Sequence, residues 1–351
     1  MIRKLMGTFS DIVQSFEQYF SKIGAILNLL HLLVLTRKSM MTSSVNAILI
    51  GIALCDFLTM SNVIRAHYFV INPLGTDCTP PPTLVRMNIE WFLTSFQNGL
   101  RRCSSWLAVL IALVRYLVIS RMLNQKIASP HFGFALVFGS ILLSTFFSVL
   151  FFSEFHFGQI DTWHPEKTCS GYDANWSQPI FGQLCNELYE VQEGLFHRIQ
   201  LVLEGIVGKL VPCIMLPILT GLLLYKLKKS HQTVAIVEVS VSIRHHRSQH
   251  KDRMTSIVIF IAITFLITEF PLGIVYLANA IWHHDDDIQK IIKTVEFLCN
   301  AIYTANASLH CLICFSMSTP YRKTVFDLLS IIPLVRKPRQ TTVSVVSKIT
   351  Y

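Results

Sequence analysis

Apolar residues gather into seven long runs, at about 20–36, 45–67, 88–119, 131–152, 200–225, 254–282 and 289–316. A helix of about 20 such residues crosses a hydrocarbon core of roughly 30 Å. The fourth run holds no charge from Phe132 to Phe152. After the seventh, Ser316 to Pro320 turns polar, and Tyr321-Arg322-Lys323 opens a segment with apolar Val325, Phe326, Leu328 and Leu329. That spacing predicts a short amphipathic helix, about 320–330, lying on a membrane surface. The pattern therefore predicts an all-α membrane bundle over 20–330, with a polar segment 1–19 before it and a tail 331–351 after it. Composition agrees: 52% hydrophobic residues and 24 Phe in 351 are too many for an ordinary soluble domain. The loops leave no room for a soluble catalytic domain, and no nucleotide loop, metal cluster or nucleophile–base pair stands at a working spacing. No enzymatic activity and no cofactor are expected.

Charge sets the orientation. Of the 30 Lys and Arg, the larger share falls in the loops after the first, third and fifth runs and in the tail. These include Arg37, Lys38, Arg121, Lys126, Lys226, Lys228, Lys229, Arg244, Arg247, Lys251, Arg253 and the residues from Arg322 on. The positive-inside rule places that side in the cytoplasm and the N-terminus outside, with Arg3 and Lys4 weighing mildly against. The expectation is a multi-pass plasma-membrane protein. Its net charge of +9 reflects topology and attraction to inner-leaflet lipid rather than nucleic acid. MIRKLMGTFSDIVQSF is polar and amphipathic, unlike a cleavable signal peptide. Cys55, Cys103, Cys213, Cys299, Cys311 and Cys314 fall in runs, whereas Cys78, Cys169 and Cys185 fall in outer loops where oxidation is permitted. The loop from Ser153 to Arg198 is acidic and carries the glycosylation sequon at Asn175 on the side assigned as outer. Such a vestibule steers cationic ligands.

Several polar residues sit inside the runs. Asp56 costs about 2.5–3.5 kcal/mol on insertion scales and must face the interior. Arg101 lies 14 residues before Arg115, close to four turns or about 21 Å along one helix face. With Arg102 beside it, at least one arginine needs a carboxylate, a carbonyl or water. Glu204, Lys209, Glu269 and Glu296 complete the set of candidate pocket charges.

The stretch Asn306-Ala307-Ser308-Leu309-His310-Cys311-Leu312-Ile313-Cys314, followed by Tyr321-Arg322-Lys323, resembles the nematode serpentine chemoreceptors of class W. These are rhodopsin-like G-protein-coupled receptors related to FMRFamide-type peptide receptors. Asn28, Asp56, Arg115-Tyr116, Pro217 with Tyr225, and Pro271 fall at matching places. The resemblance implies a seven-transmembrane bundle of rhodopsin-like type whose surface helix is an eighth helix. It implies a peptide or small polar ligand bound near Arg101, Arg102, Glu204, Lys209, Glu269 and Glu296, and a heterotrimeric G protein as partner. Arg115, Tyr116, Tyr225, Pro271, His310 and Arg322 would serve coupling and activation, and Asn28, Asp56 and Ser308 a polar network. Glu269 stands where the family has a Trp touching the third span, which leads to an expected Arg101–Glu269 ion pair. A disulfide is implied from Cys78 to Cys169, the favoured partner, or to Cys185. Val114, His310-Cys311, and Glu90 at the common cysteine position depart from the wider pattern. The tail residues Thr341, Thr342, Ser344, Ser347 and Thr350 could recruit an arrestin-like partner once phosphorylated.

Rival readings include a scaffold that has lost signalling, suggested by the altered inner motifs at Val114 and His310-Cys311. A retinal photoreceptor needs a lysine deep in the seventh run, and none lies between Lys293 and Lys323. A transporter or channel would use the intramembrane charges as an ion path, but internal repeats are not visible. His283-His284-Asp285-Asp286-Asp287 reads as a solvated turn rather than a metal site.

Overall fold

The computed structural model describes residues 2–69, 73–76, 78–120, 125–166, 168–173, 176–237, 263–282 and 285–331. The sequon residue Asn175, His283 and His284, most of the loop before the sixth span and the Ser/Thr tail lie outside these. The elements are α1 (Ile2–Leu35), α2 (Ser44–Tyr68), α3 (Leu84–Ser120), the single turn α4 (Gln125–Ala128) and α5 (Pro130–Phe152). Then come strands β1 (Phe155–Trp163) and β2 (Gln178–Cys185), α6 (Glu187–Leu203), a π-helical segment (Glu204–Leu210) and α7 (Val211–Val237). The chain continues through α8 (Ile263–Ile281) to α9 (Asp286–Met317) and α10 (Thr319–Ile331). Seven of these stretches are long and apolar enough to cross a membrane, the fifth running unbroken through α6, the π segment and α7.

Local chemistry marks several starts. Ser43 caps α2 by accepting from the Asn46 amide, and Ser129 caps α5 ahead of Pro130 at its first position. The uncharged α5 lies at the edge, burying only Gly133, Ser140 and Ser144 while Phe138, Leu142, Phe146 and Val149 face outward. Its small residues make that packing possible, since a Cβ on Gly133 would strike the Ser44 carbonyl and Ala47 of α2. At the centre, α3 packs against α2, α5 and α7. Ile48, Ile52, Leu107 and Val114 form the α2–α3 core, and Val109, Ala112, Cys213, Leu216, Leu219 and Phe265 join α3, α7 and α8.

Helix α1 begins far above the apolar run that predicts it. Its 34 residues span about 51 Å. A second periodicity runs along it: Ser21, Asn28 and His31 are all buried, Asn28 bonding to α9 and His31 to α10, and Glu17 continues that stripe one turn upward, bonded to Thr304 of α9. The opposite stripe of Ile12, Phe16, Tyr19, Ile23, Ile26, Leu30 and Leu33 is exposed and apolar, as a lipid-facing surface should be.

β1 and β2 pair antiparallel as a hairpin over one end of the bundle, and α10 lies at the other. Cys78 is disulfide-bonded to Cys169, which joins the α2–α3 connection to the hairpin tip. Trp163 Nε1 donates to the Thr76 carbonyl at 2.9 Å and Tyr172 Oη to the Cys78 carbonyl at 3.1 Å beside it. The alternative partner, Cys185, pairs in register with Phe155 at the hairpin base, far from the tip. It forms no disulfide, and burial pushes its thiol up, with Glu154 and Glu190 adding to the effect.

Candidate functional site

Arg101 and Arg102 point about 100° apart around α3 and so meet different helices. Arg101 donates through Nη1 to Asn300 Oδ1 of α9 at 2.6 Å, and its Nη2 lies 3.3 Å from Glu17 Oε1 of α1. Thr304 of α9 donates to the same oxygen at 3.2 Å, and the guanidinium lies over the Tyr303 ring. Arg102 grips Glu204 with a fork: Nη2 to Oε2 at 2.6 Å and Nε to both carboxylate oxygens at 3.0–3.1 Å. Its Nη1 donates to the Ser144 carbonyl of α5 at 2.8 Å, and Phe147 lies against its face. A third pair joins Lys209 Nζ to Glu269 Oε2 at 2.9 Å, with side chains only 4% and 1% exposed. Neither Glu269 oxygen receives a directed hydrogen bond among the described residues.

The expected Arg101–Glu269 pair is therefore not formed. Glu269 is taken by Lys209, and Arg101 turns toward α1 and α9. Helical winding explains the exchange. Under α winding, residues five apart sit about 140° around the axis, so Glu204 and Lys209 could not both face inward. The π segment bonds i to i+5 and closes that angle to about 50°. Both charges then enter the bundle, one toward α3 and the other toward α8.

Glycines permit this geometry. A Cβ on Gly208 would lie 2.8 Å from Glu204 Oε1, and one on Gly205 would lie 3.1 Å from the Gly273 carbonyl of α8. Gly208→Ala is expected to push Glu204 off Arg102, at a cost of about 1–3 kcal/mol. Thermal melts of purified protein check this. The substitution should lower the melting temperature of the native chain yet add little to Glu204→Ala, where the obstructed carboxylate is already gone.

Deeper in the bundle, Asp56 accepts from Ser104 Oγ at 2.8 Å and its Oδ2 meets His310 Nδ1 at 2.9 Å. The predicted network is thus divided. Asn28 donates to the carbonyls of Gly24 and Ala307, and Ser308 donates to those of Thr304 and Phe20, so both tie α1 to α9 without reaching Asp56. Below them His31 Nδ1 meets Tyr321 Oη at 2.8 Å, linking α1 to α10. Ser104, His31 and Tyr321 are residues the sequence reading missed.

Arg115 is half-buried near Cys314 and makes no ion pair or hydrogen bond among the described residues. Tyr116 lies beside it, half-buried, and Pro271 sits in α8 two residues after Glu269. Tyr225, by contrast, is 64% exposed on α7 and does not face the interior. Arg322 donates to the Ser316 carbonyl and Thr319 Oγ1, closing the junction of α9 and α10. At the hairpin end Glu90, in the displaced cysteine position, pairs with Arg65 at 2.6 Å. Glu154 is buried and paired with His197, so this acid belongs to the hairpin base rather than to a solvated vestibule. Among the described residues no His, Cys, Asp and Glu group could hold a metal.

Seven spans in this order, a hairpin held by a disulfide at one end and an amphipathic helix after the last span at the other define a serpentine seven-helix receptor. The chain belongs to the family described as "Serpentine type 7TM GPCR chemoreceptor Srw", whose profile matches residues 15–331. It is 25% identical over 292 residues to the G-protein coupled receptor dmsr-1 of Caenorhabditis elegans, covering 72% of this chain and 55% of that protein. It is 22% identical over 337 residues to the sex peptide receptor of Drosophila melanogaster, covering 93% of this chain and 74% of that one. The chain thus spans about half the length of the nematode relative.

Proposed function

We propose that the chain is a plasma-membrane receptor, N-terminus outside, that binds a peptide at the hairpin end and activates a heterotrimeric G protein at the α10 end. Family membership supports receptor action, and the fly relative's name, sex peptide receptor, supports a peptide as ligand. The observation that carries the reading is the group of three ion pairs at membrane depth, Glu17–Arg101, Arg102–Glu204 and Lys209–Glu269. Buried pairs add little stability over apolar packing, so a bundle that only had to fold would not need them. Intramembrane charges that line a cavity mark a site of action. A ligand that interacts more favourably with these charges in one helix arrangement than in another can shift the population between the two.

In this account Arg101, Arg102, Glu204, Lys209, Glu269 and Glu296 line the ligand side. Arg115, Tyr116, Pro271, His310 and Arg322 serve the coupling side, and the tail receives an arrestin-like partner after phosphorylation. Tyr225, exposed on α7, belongs to the same coupling side. The test is a screen of amidated short peptides on cells expressing the chain, reading G-protein activation and membrane current together. A peptide-dependent G-protein signal without current is expected. Current without G-protein activation would return the transporter reading.

A further inference from the structure

Seven charged side chains gather at membrane depth toward the hairpin end: Glu17, Arg101, Arg102, Glu204, Lys209, Glu269 and Glu296. Six of them form the three ion pairs already described. Glu296 makes no ion pair or hydrogen bond among the described residues. It nevertheless belongs to the group. On α9 it continues the buried stripe of Ile292, Cys299, Tyr303 and Ala307, at helical spacing, and it lies one turn before Asn300, the partner of Arg101. The cations whose field reaches it are Arg101, Lys209 and Lys293. The first two are committed to Glu17 and Glu269, and Lys293 is exposed on the preceding turn, outside ion-pair distance. Tyr276 of α8 lies within its electrostatic reach. By formal charge the group holds three cations and four carboxylates, an excess of one carboxylate. An isolated carboxylate at this depth is unfavourable, and an incoming monovalent cation would neutralise the site, whereas an anion would double the imbalance.

We propose that Glu296 seats a cationic group of the ligand, either an ammonium or a guanidinium, while the three ion pairs around it stay closed. The assignment rests on the hairpin-end group being the ligand site and specifies what that site recognises. A peptide offers this chemistry from its free α-amine or from a basic side chain, and the ion pairs leave Glu296 as the carboxylate available to it. Lys293 at the rim plays no part in holding the cation.

The test is thermal unfolding of the purified full-length protein with three probes at millimolar concentration. N-acetylarginine methylamide carries only a guanidinium, alanine methylamide only an α-ammonium, and N-acetylcitrulline methylamide no charge. At least one cationic probe should raise the melting temperature by about 2 °C or more over the neutral one, and the identity of that probe tells side chain from α-amine. Glu296→Gln should remove the difference, and Lys293→Ala should leave it intact. Should Glu296→Gln fail to fold, Glu296→Asp serves instead and should keep the cation preference with a smaller shift. Equal shifts from all three probes, no shift from any, or a cation preference that persists in Glu296→Gln would overturn the assignment. Because this readout involves no G protein, its failure beside intact peptide signalling removes the role of Glu296 alone.

Discussion

Lys209→Met is expected to strip the folded protein from the cell surface. Its Nζ is the counter-charge of Glu269, and both groups are almost completely buried. Removing one partner of such a pair leaves an uncompensated charge and costs about 3–5 kcal/mol, a large share of the stability of most domains. The Glu269 carboxylate has no directed hydrogen bond to fall back on, which makes the loss worse. The double change Lys209→Met with Glu269→Leu should recover surface expression, because an apolar pair of similar volume avoids the desolvation of both charges. It should not recover ligand-stimulated signalling, because Lys209 and Glu269 line the proposed ligand side. Surface staining, melting temperature and signalling in the two variants check this. Normal surface levels of Lys209→Met alone would contradict the pairing.

Arg102→Met is the second large effect, and the instructive comparison is with its neighbour. Arg102 satisfies both oxygens of Glu204 and the Ser144 carbonyl with a bidentate fork at short distances. Its loss strands a carboxylate and a carbonyl together, and destabilisation of about 3–5 kcal/mol is expected. Arg101→Met should cost less, because Arg101 lies 3.3 Å from Glu17, which keeps the Thr304 hydroxyl as a second donor. The two variants differ by one position along the chain, yet their melting temperatures should separate clearly. Lysine should not rescue Arg102, since an ammonium cannot reproduce the fork. Equal losses at the two positions would show that the fork geometry is not what matters.

The spans were legible because about 20 apolar residues in a row have one physical use. The pairings were not. The Arg101–Glu269 expectation follows from Glu269 standing where the family has a Trp that touches the third span; Lys209 displaces Arg101 through a π turn that nothing in hydropathy reveals. A trace was present all the same: Glu204 and Lys209 stand five apart in an otherwise apolar stretch, with Gly205 and Gly208 between them. Glu17 was missed because hydropathy places the start of the first span near residue 20. The polar residues Glu17, Ser21, Asn28 and His31 recur at helical spacing and carry the helix upward past that point. Asp56 was correctly placed in the interior by its cost in lipid, but its partners Ser104 and His310 depend on how three helices rotate against each other, which one sequence does not specify. The choice between Cys169 and Cys185 was equally closed until the hairpin register put one at the tip and the other at the base.

The central claim is that a ligand bound among the charges of the hairpin end is read out at Arg115, about 21 Å along the same helix. The most direct measurement is peptide-stimulated nucleotide exchange on a heterotrimeric G protein by the native chain and by Arg115→Ala, at matched surface expression. Loss of exchange in the variant, with peptide binding retained, is the predicted result. Exchange that persists at the native level in Arg115→Ala would contradict it.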